Sequence, residues 1–275
     1  MVSPILIIAH PGHELRLFGW IEEFRPLVCI LTDGSGSMGP SRIEFSHHVL
    51  DACGTQHGLV MGLLPDRDWD AALLEGDPDP FVTAADLIAN AASAGSTVVS
   101  DPVEGYNPMH DLASAVADRV ARMTGGERMT FPLMRPAQPH QLFVLSEAAI
   151  QRKSAAITGY VPLANEAAAL LLQHPDSLAV EMLCKETWSW PTYLSAELEY
   201  ERIGRSRAIA GLYSMTITYG AHVLPIANRL GSASGLMPVS TSQSEKNDNS
   251  SVTSIKAPKI DDRSDSGRLP IHKSV

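Results

Sequence analysis

The chain has 275 residues, 44% of them hydrophobic and 19% charged, with 21 Lys and Arg against 31 Asp and Glu. That is the composition of a globular protein long enough for one sizeable α/β domain, and no run approaches the roughly 20 apolar residues of a bilayer span. The segment after Leu230 holds 6 basic and 5 acidic residues, leaving 15 against 26 in the body, a surplus that repels a phosphate backbone and argues against nucleic acid as a partner.

Strand and helix patterns alternate along the chain as a parallel sheet requires. Residues 4–9 read as a first strand, 14–24 as a helix and 27–31 as a second strand. Ser41-Arg42-Ile43-Glu44 has the form of a capping box, opening a helix that ends at Cys53-Gly54. Residues 58–63 read as a third strand. Pro80 in a first helical turn and Gly95 as a stop bracket the next helix. Residues 96–100 form a fourth strand, and 109–123 a helix ended by Gly125-Gly126. The expected fold is a Rossmann-like, doubly wound, mostly parallel α/β sheet with a helical C-terminal part, a single domain over residues 1–230.

From 146 to 172 runs an alanine-rich helical stretch interrupted at Pro162. Its apolar spacing suits core packing or a subunit contact, which makes a homo-oligomer one expectation; Arg152 and Lys153 read as its solvated face. Trp188, Trp190 and Tyr193 put three aromatics in six residues, read as packing in preference to sugar stacking. Residues 231–275 have the composition of a disordered tail. Cys29, Cys53 and Cys184 show no CxxC spacing and read as reduced thiols. The apolar run at 5–9 is too short for a signal peptide, so a cytoplasmic location is expected.

The chemistry concentrates at two strand ends, where side chains and helix N-termini converge in α/β proteins. The first strand runs into His10-Pro11-Gly12-His13-Glu14, and the fourth is followed by Asp101 and, nine residues on, His110. Three neutral imidazoles with an open fourth position make a hydrolytic zinc centre. Taken singly, each feature is ordinary, because Pro-Gly is common turn chemistry and no HExxH pattern is present. The Gly- and Ser-rich residues 34–41 lack a GxGxxG fingerprint and read as a loop at the pocket mouth. His47, His48 and His57 have no partners identifiable in the sequence.

These segments resemble motifs of the PIG-L/LmbE family of zinc-dependent N-deacetylases. His10-Pro11-Gly12-His13-Glu14 resembles its AHPDDE motif, and Asn107-Pro108-Met109-His110 its HPDH motif. Arg152-Lys153, Tyr160, Glu181, Tyr213 and His222 follow in the family's order, so the resemblance covers about residues 3 to 230 although no single motif is intact. It implies zinc, or another divalent metal, on His10, His13 and His110. It also implies a small-molecule substrate, an N-acetylated amino sugar or sugar conjugate. The departures bear on catalysis. His13 replaces an aspartate ligand, Gly12 stands where the family has its general base, and Asn107 replaces a histidine that shuttles protons. An amide can donate a hydrogen bond to an oxyanion but cannot carry a proton. Glu14, Asp33 and Asp101, with Glu104 close by, are the carboxylates available to replace the base. Glu14 is expected to face the first helix, and Asp101 could equally stand behind a histidine ligand. Two functional classes follow: a metal-dependent amide hydrolase, or a non-catalytic sugar- or partner-binding protein on the same scaffold.

Overall fold

The computed structural model describes residues 2–36, 39–133, 138–190 and 197–232. Its centre is β1, Ile5–Ile8, every residue of which is buried. A strand covered on both faces carries a continuous apolar run, the mark of a central parallel strand. Around it lie β2 (Leu27–Thr32), β3 (Gln56–Leu64), β4 (Val98–Ser100), β5 (Arg128–Thr130), β6 (Gln141–Val144) and β7 (Val180–Lys185), in the order β3-β2-β1-β4-β5-β7-β6. The first five in that order pair in parallel, with Leu6 opposite both Val28 and Val99. β7 runs antiparallel to β5, and β6 antiparallel to β7.

Alternate residues of β1 feed two cores. Ile5 and Ile7 join Trp69, Phe81, Ile88, Leu112 and Val116 on one face, and Leu6 and Ile8 join Phe18, Ile21, Leu50 and Met129 on the other. The first core is closed by α3 (Asp66–Glu75), α4 (Asp79–Ala91), α5 (Pro108–Thr124) and α9 (Leu224–Gly231), and the second by α1 (Phe18–Phe24), α2 (Ile43–Ala52) and α6 (Glu147–Gly159). α7 (Ala164–Gln173) and α8 (Glu199–Ile209) complete the helical C-terminal part. The expected doubly wound α/β fold is present.

Several boundaries differ from the sequence reading for local reasons. The chain between 13 and 24 is a tight turn, His13–Leu17, followed by α1, not one helix from 14. The free N–H groups of Gly19 and Trp20 at the start of α1 both donate to the Glu181 carboxylate, which fixes that start. Arg42, not Ser41, is the N-cap of α2, and Ser41 Oγ accepts from Ile43 N. α3 was not expected, although Pro65, two aspartates in its first turn and Gly76 at its end are ordinary helix signals. Pro162 breaks the long alanine-rich stretch into α6 and α7, which meet at 86°. Lys153 is a correction. It is buried, its Nζ donating to Ser177 O and Glu181 Oε1 at 2.9 Å each, while Arg152 alone faces solvent and pairs with Glu22.

Among the described residues no single helix is long and apolar enough to cross a membrane. All three cysteines are free and buried. Tyr193, part of the 34–41 loop and residues 233–275 of the expected tail lie outside the described residues.

Candidate metal centre

β1 ends at Ile8, and the chain turns through Pro11 and Gly12 beyond the sheet edge. Gly12 has φ 109°, a conformation that side chains rarely adopt, so glycine is what lets His10 and His13 leave the strand on adjacent sides of one turn. The third imidazole comes from α5. Asn107 is its N-cap, Oδ1 accepting from Met109 N at 2.8 Å, and Pro108 opens the helix. His110 therefore sits in the first turn, buried. The structure brings the three rings together, with centroids 5.6 Å apart for His10 and His13, 5.3 Å for His10 and His110, and 4.7 Å for His13 and His110, each pair edge to face.

What stands behind the rings decides how they are oriented. His10 Nδ1 lies 2.9 Å from Thr32 Oγ1 and 3.2 Å from Asp66 Oδ1. His13 Nδ1 lies 3.0 Å from Asp101 Oδ1, and Asp101 Oδ2 also accepts from Ala9 N at 2.7 Å. A carboxylate behind Nδ1 favours the proton there and leaves the Nε2 lone pair facing the other way. His10 Nε2 and His110 Nδ1 are buried and make no hydrogen bond. Buried polar atoms are ordinarily satisfied, so two orphans in one cluster need an explanation. Burial, then the neighbouring His13 and His10, holds His110 well below the usual imidazole range, hence neutral. Neutral nitrogen donors of this kind fit zinc, copper, nickel or iron. Among the described residues, no group of three or more His, Cys, Asp or Glu side chains is placed to hold a metal ion as the structure stands; the three rings lie together without forming such a site.

The remaining candidates are placed as follows. Asp33 Oδ1 accepts from Ser35 N at 2.9 Å, shaping the loop after β2. Glu14 is fully buried, accepts from Gly12 N and Ser46 Oγ, and is pushed up by burial before those bonds pull it back. Glu104 is buried, its Oε1 accepting from Leu133 N. Tyr213 accepts a hydrogen bond from Arg207, and His222 Nδ1 accepts from Thr218 N; both are local contacts of the C-terminal helices. Trp188 and Trp190 pack against the first core.

Four features escaped the sequence reading. Asp66 opens α3 immediately after β3, and Thr32 closes β2; both obey the strand-end rule that pointed to His10, and the unrecognised α3 hid the first of them. Burial alone would raise Asp66, but His10 outweighs it and, with Gly36 N and Thr32, brings it down to about 2. Asp70, one turn along α3, is pushed up to about 6 by partial burial and by Asp66. Finally, a β-carbon at position 12 would lie 2.1 Å from Leu163 Cδ1, so the end of that half-buried side chain would have to swing aside, and φ 109° would strain the backbone in any case.

No family model and no curated protein sequence matches the chain. Among solved structures it is similar to the conserved protein TT1542 from Thermus thermophilus, with 17% identity and a TM-score of 0.50 over 71% of this chain and 100% of that one. It also aligns with A40926 pseudoaglycone deacetylase Dbv21, at 14% identity and a TM-score of 0.45 over 69% of this chain and all of that one. The zinc-inhibited form of teicoplanin deacetylase Orf2 aligns at 12% identity and a TM-score of 0.43 over 68% of this chain and all of that one. The likeness to the Thermus thermophilus protein shows the fold.

Proposed function

We propose that the chain is a metal-dependent amide hydrolase, an N-deacetylase of an N-acetylated amino sugar or sugar conjugate, with His10, His13 and His110 holding zinc or another divalent cation. The observation that carries this reading is the convergence of three imidazoles at a strand-end edge with buried, unpartnered nitrogens. Bound there, the metal supplies Lewis acidity toward a carbonyl oxygen and makes water more acidic. Asp66 with Thr32 orients His10, and Asp101 orients His13. Asn107 uses Oδ1 for the helix cap, and its NH2 remains to donate to an oxyanion. Tyr106, exposed beside His110 with ring centroids 6.3 Å apart, offers an aromatic face to a sugar ring.

The test is elemental analysis of the purified chain beside His110→Ala, followed by acetate release from N-acetylated amino sugars. Zinc lost in the variant together with metal-dependent acetate release supports the hydrolase. Leu163 over Gly12 favours a second reading, a metal-bearing binding protein without turnover. Metal present, no acetate released and saturable binding of the same sugars by calorimetry would select it.

A further inference from the structure

On the side of the second core, α2 and α6 leave a cleft between them that the histidine centre does not use. Its volume is about 360 Å³, within the range of small-molecule sites. Small side chains keep it open: Ala52 on α2, and Ala155 with Ala156 on α6, stand where larger ones would fill the gap. Phe18, Val49 and Tyr160, all buried, form its inner wall with Phe45, whose ring lies 5.3 Å from that of Tyr160. The polar side chains of the lining are Arg152, His48 and Tyr160, and each has a partner. Arg152 makes two bonds to the Glu22 carboxylate, at 2.6 and 2.8 Å, and His48, unassigned in the sequence, lies 3.6 Å from Glu44 Oε1. The Tyr160 hydroxyl donates to Arg42 O. An occupant therefore needs no charge and no hydrogen-bonding group, and an aromatic and aliphatic cavity of this kind takes an apolar molecule in preference to water.

The wall of the cleft is tied to the turn that carries the histidines. Tyr160 Oη lies 3.1 Å from Ser46 Oγ, which donates to Glu14 Oε1 at 2.5 Å, and Glu14 Oε2 accepts from Gly12 N at 2.7 Å. The Tyr160 ring also lies against Gly12 directly, its Cζ 3.8 Å from where a β-carbon would stand. Any displacement of Tyr160 is passed to the turn between His10 and His13 by these two routes, both made of touching groups. We propose that the cleft between α2 and α6 is a second ligand site, taking a neutral apolar molecule on the order of one or two aromatic rings in size, and that its occupancy shifts the Gly12 turn. The ligand acts on the turn to the extent that it binds one arrangement of Tyr160 better than another.

The full chain is titrated with phenylnaphthylamine, an uncharged fluorophore that brightens in apolar surroundings. The expected result is saturation at about one probe per chain, unmoved by added salt. Ala52→Phe and Ala155→Phe, which fill the cleft from its two helices, should each bind the probe at least about tenfold more weakly. Both positions are exposed, so neither substitution enters a core. In the isotope-labelled wild type, the amide signals of Gly12 and His13 should move with probe occupancy while that of Ala227, in the first core, stays in place. Binding that does not saturate, or equal affinity in both variants, overturns the site. Saturable binding that leaves Gly12 and His13 unmoved overturns its link to the turn. No arm measures metal or acetate, so failure of the hydrolase reading has no bearing on the result.

Discussion

The three-histidine centre and the Lys153–Glu181 pair are both buried polar assemblies, yet they are built to opposite specifications. Glu181 accepts from Gly19 N, Trp20 N and Lys153 Nζ, and Lys153 also reaches Ser177 O. Every atom in that exchange has a partner, and together they tie α6, β7 and the start of α1 into one unit. The histidine centre has carboxylates behind two rings and orphaned nitrogens in front. Satisfied burial rigidifies a fold; unsatisfied burial costs stability and is retained where something else is to bind.

The largest effect follows from breaking the satisfied assembly. Lys153→Met leaves the buried Glu181 without its counter-charge, and removing one partner of such a pair costs about 3–5 kcal/mol. Urea unfolding followed by circular dichroism reads this directly. A loss under about 1 kcal/mol would mean that the pair is not structural and would erase the contrast.

Next comes the turn between the two first-motif histidines. Gly12→Asp puts a side chain at φ 109° and drives it against Leu163, so it should cost about 1–3 kcal/mol and give no gain in acetate release. Leu163→Ala added to it removes the collision and should recover part of the lost Tm. Full stability and enhanced activity in Gly12→Asp alone would show that Leu163 does not occupy that space.

Asp101→Asn tests the open assembly at its support. It keeps an acceptor for Ala9 N but weakens the hold on His13, and losses of about 10–100-fold in metal affinity are expected of such a change. Calorimetric zinc titration of the folded variant measures it. Affinity equal to that of the wild type would remove Asp101 from the centre's support.

How much of this was legible depends on whether the cause was local. β1, β2, β4 and α5 announced themselves through apolar runs and, for α5, the Gly125-Gly126 stop, and the strand-end rule then led to His10, His13 and His110. β5, Arg-Met-Thr, has no apolar run such as β4, of equal length, carries in Val98-Val99, and β6 and β7 depend on pairing with it and with each other. Lys153 misled because a lysine on a helix is usually solvated, and only Glu181, far along the chain, makes its burial tolerable. Leu163 could not be foreseen at all, since its place over Gly12 is decided by the bend between α6 and α7. Asp66 was within reach, and the omission of α3 concealed it.

The smallest expected effect separates the two assemblies within one experiment. Cys53 is pushed up to about 12, by burial first and then by the charges of Glu22 and Glu181, and Cys29 to about 12 by burial. An unperturbed thiol titrates near about 8.5, so at pH 8 the native chain should present almost no thiolate at either position. Labelling with a thiol-specific disulfide reagent should be negligible for the wild type and for Asp101→Asn, whose defect lies at the sheet edge. Lys153→Met should label faster, because loosening α6 and the start of α1 exposes Cys53, whose Sγ sits against Phe18 O. Equal labelling of the two variants would mean that the assemblies share one cooperative unit. In that case the open centre, too, would be part of what holds the fold.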